Sequence, residues 1–96
     1  MNSNFEYYKV FYYVAKYENL TKASSVLKTS QPAVTRTIHN LENELGCRLF
    51  TRSKSGMKLT PEGRTFYSYV SAGCAQFFKG ENDLSNLCLL YTSEAA

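Results

Sequence analysis

Apolar residues recur every three to four positions in several parts of the chain, the spacing that gathers them on one face of an α-helix. The first stretch predicts a helix from about Asn4 to Glu18. A second, shorter helix is predicted to open at Leu20-Thr21, with Thr21 as its N-cap. It ends at Lys28-Thr29-Ser30, a tight turn without glycine that leads directly into a third helix.

The third predicted helix divides most clearly into an apolar and a polar side. Ser30 can cap its start, Pro32 is tolerated in its first turn, and Gly46 follows as a stop. Residues at i, i+4, i+7 and i+11 form the side expected to be buried: Val34, Ile38, Leu41 and Leu45. The opposite side carries one cation and few acids and consists of Pro32, Arg36, His39 and Asn43, with Thr35 on its flank. This helix is therefore expected to pack on one side and to present a polar surface on the other.

Two short extended runs come next and predict a small basic hairpin. The runs Leu49–Arg52 and Met57–Thr60 flank the turn Ser53-Lys54-Ser55-Gly56. Thr60-Pro61-Glu62 then predicts the start of a fourth helix, with a cap, a proline in the first turn and an acid near the N-terminus. The chain is thus expected to be mainly α-helical with one β-hairpin.

The fourth helix carries an apolar stripe that extends beyond what the small core is expected to cover. Its members are Phe66, Val70, Cys74 and Phe77. An unpaired stripe of this kind predicts dimerisation with a second copy of the chain. We expect this linker helix to span residues 61–87. Residues 88–96 resemble the translation of a common transposon-end sequencing adapter and are expected to be non-native, the alternative being an ordinary apolar helix end or tail.

Length and composition restrict the class of protein. Ninety-six residues suffice for one small domain, and 44% hydrophobic with 20% charged residues are typical of a soluble globular chain. No run approaches the roughly 20 apolar residues of a membrane helix, and Met1–Asn4 does not begin a secretory signal. The three widely spaced cysteines, Cys47, Cys74 and Cys88, favour free thiols in the cytoplasm over disulfides. With His39 as the only histidine, we expect no metal site and no cofactor.

Positive charge is concentrated in residues 1–79. All eleven Lys and Arg residues lie at or before Lys79, where only five Asp and Glu residues accompany them. The stretch from Leu45 to Pro61 holds four cations and no acid. Such a stretch on a compact domain favours an anionic partner, nucleic acid first, although a solvated basic loop would carry the same charges.

Two short helices joined by a tight turn and followed by a basic hairpin predict a winged helix-turn-helix fold. We assign residues 1–60 to this domain and the long linker helix to dimerisation. The major groove of DNA, about 12 Å wide, admits one α-helix whose exposed side chains can bond to base edges. The hairpin, or wing, then brings cations to phosphates or to the adjacent minor groove.

The sequence Ser30–Thr35 resembles a motif in the N-terminal domain of LysR-type transcriptional regulators. The same pattern extends without a gap from about Phe5 to Gly63 and includes Thr21, Ala23, Leu27, Ile38, Leu41-Glu42, Leu45-Gly46, Leu49-Phe50, Arg52 and Leu59-Thr60. Three positions depart from it: Asn19 and Thr35 replace the usual serine, and Ser24 replaces a second alanine. The resemblance implies a C-terminal effector-binding domain of two lobes after the linker helix, so a small-molecule effector is expected only if that domain exists.

Candidate DNA-binding residues lie in the third helix and in the wing. Gln31 can bond to both polar atoms of an adenine edge, and Arg36 can read guanine or clamp a phosphate. Ser30 is a cap that can also bind phosphate, and His39 is either a phosphate contact or solvent-exposed. The resemblance itself implies that Gln31, Pro32, Thr35 and Arg36 lie in the groove. The full set is Ser30, Gln31, Pro32, Thr35, Arg36, His39, Arg52, Lys54 and Lys58, whereas Arg48 is interpreted as a solvated charge.

The predicted function is sequence-specific binding of double-stranded DNA by a dimeric bacterial transcription regulator. An inverted-repeat operator matches a two-fold dimer, and the place of action is the cytoplasm, on the nucleoid when bound. The alternatives are a winged-helix regulator of another family and a helical protein-interaction module. An enzyme is not expected, because the sequence offers neither a nucleophile–base pair nor a phosphate-binding glycine loop.

Overall fold

The computed structural model describes residues 5–54 and 56–95. In this part of the chain the helices and strands occur in the predicted order, and the winged helix-turn-helix fold with a long fourth helix is confirmed. The elements are α1 (Phe5–Tyr17), α2 (Leu20–Leu27), α3 (Gln31–Leu45), β1 (Phe50–Ser53), β2 (Gly56–Leu59) and α4 (Pro61–Ala95). The predicted helix start at Asn4 and turn residue Ser55 lie outside the described residues.

The start of α2 differs from the prediction, because Asn19 and not Thr21 is its N-cap. Asn19 has extended backbone angles, and its side chain accepts a hydrogen bond from the backbone N–H of Lys22 at 2.9 Å. Thr21 lies one residue inside the helix. Asparagine caps helices as well as serine does, so the departure at position 19 preserves the cap.

The turn between α2 and α3 and both ends of α3 follow from local backbone chemistry. Lys28 adopts the left-handed conformation (φ 58°) that ends α2 where a glycine is more common. The Ser30 side chain accepts a hydrogen bond from the N–H of Ala33 at 3.2 Å, which confirms the predicted cap. Gly46, at φ 76°, ends α3 as predicted. The turn thus leads from α2 into the first residues of α3, of which Gln31 and Pro32 are exposed.

The core lies between α1, α3, the hairpin and the first half of α4. Phe11 is completely buried at its centre, with its ring 5.4 Å from that of Phe50 and 5.2 Å from that of Phe66. Ser24 is buried as well, and its hydroxyl donates to the backbone oxygen of Thr21 at 2.9 Å, so the added polar group is hydrogen-bonded. The other buried apolar residues are Val14, Ala15, Ala23, Val34, Ile38, Leu41, Leu49, Phe50, Val70 and Cys74.

The strands lie one residue away from the predicted bounds. β1 and β2 are antiparallel, with Phe50 opposite Leu59 and Arg52 opposite Met57. Thr60 follows β2 and caps α4, because its hydroxyl accepts from the N–H of Gly63 at 2.9 Å. The same hydroxyl donates to the backbone oxygen of Arg48 at 2.6 Å, so one side chain joins the end of the hairpin to the start of the helix.

The apolar stripe of α4 is only partly covered by the rest of the chain, so the expectation of an unpaired stripe is wrong for Val70 and Cys74, and the role of the stripe in dimerisation stays a prediction. Val70 and Cys74 are buried in the chain's own core, where burial raises the pKa of the Cys74 thiol. Phe66 packs against α1, with ring centroids 5.6 Å from Tyr8, and Phe77 lies 4.9 Å from Phe5. The sequence shows the stripe but not the contacts of Phe66 with Tyr8 and of Phe77 with Phe5, and these contacts leave Phe77 more than half exposed.

Further exposed apolar residues lie along the distal part of α4. This helix has no break at Leu87 but continues to Ala95, and the molecule is 54 Å along its longest axis. The exposed side chains there include Leu84, Leu87, Leu89 and Leu90. The domain boundary at 87 and the foreign origin of 88–96 stay predictions, with Ala96 outside the described residues. No helix among the described residues is both long and apolar enough to cross a membrane.

Candidate nucleic-acid interface

An open groove runs along the exposed side of α3 and reaches the wing. It brings together most of the predicted DNA-binding residues, because α3 presents one polar face and β1 ends beside it. The residues that line it are Leu20, Gln31, Pro32, Thr35, Arg36, His39, Asn40 and Arg52, which we call the recognition groove. A surface of this composition offers hydrogen-bond donors, acceptors and two guanidinium groups to an extended anionic ligand.

A second concavity continues the recognition groove between α3 and the wing. Four residues line both concavities, and Met57 of β2 lines only the second; the shared residues are Leu20, Thr35, His39 and Arg52. Arg48 lies on the wall of this second concavity, although the sequence interpretation set it aside as a solvated charge. The cation-only stretch from Leu45 to Pro61 was the signal that could have included it.

Glu42 holds the wing to α3 and was not recognised from the sequence. The residue is 8% exposed, and its carboxylate accepts hydrogen bonds from the backbone N–H groups of Leu49 at 2.7 Å and Phe50 at 3.3 Å. It lies four residues after Ile38, on the buried side of α3. That spacing was the available signal, since an acid on a buried helix face needs a donor nearby.

Glu18 holds the other side of the wing. Its backbone oxygen accepts a hydrogen bond from the N–H of Met57 at 3.1 Å. A Cβ added to Gly56 would lie 2.3 Å from that oxygen, and Gly56 has a φ of 127°. Glycine is therefore required at this position both by the close approach and by the backbone angle.

Lys58 and Lys54 are placed differently from the other predicted site residues. The ammonium group of Lys58 lies 2.5 Å from the Glu18 carboxylate, and neither residue lines the recognition groove. Lys54 is exposed at the hairpin turn. Contact of either lysine with DNA stays a prediction, and the half-exposed Lys58 ammonium group, which has three donors, can bind a phosphate beside the Glu18 carboxylate or in exchange for it.

Two predicted site residues at the start of α3 are hydrogen-bonded within the chain. Ser30 is engaged as the cap, and the Gln31 side chain donates from Nε2 to the hydroxyl of Thr21 at 2.9 Å. Arg36 and His39 are exposed one and two turns further along. Among the described residues no group of three or more His, Cys, Asp and Glu could hold a metal ion.

The sequence matches a family model described as a bacterial regulatory helix-turn-helix protein of the lysR family, over residues 5–64. The chain is 42% identical over 67 residues to the HTH-type transcriptional regulator CitR of Bacillus subtilis (strain 168), covering 70% of the chain and 23% of that protein. It is also 42% identical over 62 residues to BenM of Acinetobacter baylyi, covering 65% of the chain and 20% of BenM. The chain thus matches about a fifth to a quarter of the length of these relatives.

Solved structures resemble the fold over most of the chain. A complex of the BenM DNA-binding domain with catB site 1 DNA matches with a TM-score of 0.78 at 30% identity, covering 90% of this chain and 97% of the other. Full-length CbnR complexed with its target DNA matches with a TM-score of 0.73 at 31% identity, covering 83% of this chain and 28% of the other. The family match includes every residue of the recognition groove.

Proposed function

Because this chain belongs to the lysR family of bacterial regulatory helix-turn-helix proteins, we propose that it binds double-stranded DNA in a sequence-specific manner and regulates transcription. The observation that carries the proposal is the recognition groove, in which Gln31, Thr35 and Arg36 of α3 lie together with Arg52 of the wing. The DNA complexes of the BenM domain and of CbnR support the assignment by analogy.

The geometry suggests a division of tasks between α3 and the wing. The exposed side of α3 enters the major groove, where Gln31 and Arg36 bond to base edges. Thr35 offers a hydroxyl and a methyl group beside them, and the Pro32 ring can contact a thymine methyl. Arg52, with Arg48 behind it, neutralises phosphates of the backbone. Bases then determine sequence preference, while phosphates determine most of the affinity.

A dimer would present two copies of α3 to the two halves of an inverted repeat. The distal part of α4 projects from the globular part and exposes Leu84 and Leu87, and Phe77 remains more than half exposed. A second α4 could cover these side chains, which otherwise lie in water. In this proposal the protein acts in the cytoplasm, on the nucleoid when bound, and takes a small-molecule effector only if a C-terminal domain is joined to it.

Replacing Arg36 with alanine is expected to relax the preference at one base position. Loss of a guanidinium that bonds to a guanine edge costs about 1–3 kcal/mol for the preferred base and little for the other bases. The measurement is selection of duplexes from a randomised library by the whole chain, followed by sequencing of the bound pool.

Lys79→Ala is the matched control, since it also removes one positive charge but from α4, where Lys79 pairs with Asp83. The control is expected to leave the preference profile unchanged. A uniform loss of affinity across all sequences in Arg36→Ala would contradict base reading and assign Arg36 to a phosphate.

A further inference from the structure

A hydrogen bond joins the first residue of α3 to the first turn of α2. Gln31 donates from Nε2 to the hydroxyl oxygen of Thr21 at 2.9 Å, across ten residues of sequence. Asn19, not Thr21, caps α2, so the Thr21 hydroxyl is not used for capping. Both side chains are exposed, and the contact lies at the edge of the recognition groove. This hydrogen bond therefore orients a side chain of the DNA-facing surface and does not contribute to the packing of the core.

The hydrogen bond restricts a side chain that would otherwise be mobile. An exposed glutamine samples many rotamers in water, and ordering it on binding costs free energy. The amide nitrogen carries two hydrogens, and the contact with Thr21 uses one of them. The second N–H and the carbonyl oxygen Oε1 are not used by this contact. These are the donor and the acceptor with which a glutamine pairs with an adenine edge.

We propose that Thr21 is a positioning residue for base reading, because its hydroxyl holds the Gln31 amide in the orientation that presents one N–H and Oε1 to the DNA. The inference rests on the proposed function and deepens it. Thr21 acts through Gln31, so its effect is confined to the one base position that Gln31 reads. A threonine that bound a phosphate directly would instead change the affinity for all sequences alike.

The contact itself is tested first without DNA. Thr21→Val removes the hydroxyl at nearly constant shape, and Thr21→Ser retains it. In NMR spectra of the whole chain, the Gln31 side-chain N–H₂ signals are expected to move toward solvent-exposed values in Thr21→Val and to remain near their original positions in Thr21→Ser. Unchanged signals in Thr21→Val would show that no such bond orders Gln31 and would overturn the inference.

The effect of Thr21 on base preference is tested by the same selection of duplexes from a randomised library. Thr21→Val is expected to lower the preference at a single base position about 3- to 10-fold, the range of one hydrogen bond. Gln31→Ala is expected to lower it at the same position, and the double variant is expected to add nothing to Gln31→Ala. Thr21→Ser retains the hydroxyl and is expected to show the base-preference profile of the original chain.

Three outcomes would overturn the inference: an unchanged profile in Thr21→Val, a loss spread equally over all sequences, or additive effects of the two substitutions. The proposed function fails separately. If the unaltered chain selects no duplex from the library, DNA reading as a whole is contradicted, whatever the NMR signals of Gln31 show. Circular dichroism confirms that each variant is folded before its profile is compared.

Discussion

Glu42→Ala is expected to lower the free energy of unfolding by about 2–4 kcal/mol, because it leaves two buried backbone donors without their acceptor. These donors are the N–H groups of Leu49 and Phe50, which lie 2.7 and 3.3 Å from the carboxylate. Both residues are buried, so no other protein acceptor is available to their N–H groups without a rearrangement of the domain. The wing is attached to α3 at this point, and its position beside the recognition groove depends on the same bonds.

Urea denaturation followed by circular dichroism measures this change. Glu44→Ala is the control, because Glu44 is an exposed glutamate on the same helix and its replacement is expected to change stability by less than about 1 kcal/mol, the range of a surface interaction. Glu42→Gln retains one acceptor oxygen, and its free energy of unfolding is expected to lie between those of Glu42→Ala and Glu44→Ala. Equal stability of Glu42→Ala and Glu44→Ala would show that the carboxylate does not hold the wing.

Phe11→Ala is expected to cost about 3–5 kcal/mol, the range for removal of a fully buried aromatic ring. The ring of Phe11 has no exposed surface and contacts the rings of Phe50 in β1 and of Phe66 and Tyr67 in α4. Its removal leaves a cavity where three elements meet, and a small domain has little stability to lose. We expect the variant to be largely unfolded well below the melting temperature of the original chain.

Thermal and urea unfolding at one fixed protein concentration measure the effect, since association would shift the apparent stability. Val26→Ala is the control, because Val26 is an exposed apolar residue on α2 and its loss is expected to change little. Phe11→Leu retains most of the volume and is expected to be less destabilised than Phe11→Ala. A loss below 1 kcal/mol in Phe11→Ala would contradict the central place of this ring.

Local signals predicted the order of the elements well. The Ser30 and Thr60 hydroxyls cap α3 and α4, and the ring of Pro61 fixes the backbone angle at the start of α4. These effects are local, so the helix starts could be predicted without knowledge of the rest of the fold. The start of α2 was misplaced because Asn19 and Thr21 can both cap, and the sequence does not show which of the two has the extended backbone. The structure assigns the cap to Asn19.

Contacts between distant residues could not be predicted in the same way. The stripe of α4 is visible in the sequence, but Tyr8 and Phe11 of α1, which cover Phe66, lie more than fifty residues away. The pairing of Lys58 with Glu18 spans forty residues and likewise could not be found from the charge pattern, which shows the lysine but not its partner. Periodicity predicts which face is apolar, whereas only the packing shows what lies against it.

The recognition groove was predicted more accurately than the surfaces around it. Gln31, Thr35 and Arg36 lie on one side of a single helix, so helical spacing alone places them together. Arg52 joins them because β1 begins where Glu42 holds the backbone of Leu49 and Phe50. The family resemblance and the spacing thus converge on the same surface.

The most direct test of DNA binding is the salt dependence of fluorescence anisotropy with a labelled duplex drawn from the library selection. The logarithm of the association constant is expected to fall linearly with the logarithm of salt concentration, by about 0.9 for each phosphate that a cation neutralises. Arg52→Ala is expected to lower that slope by about one unit, and Lys79→Ala, on α4, to leave it unchanged. Binding that is the same at low and high salt, or no binding at all, would contradict the account.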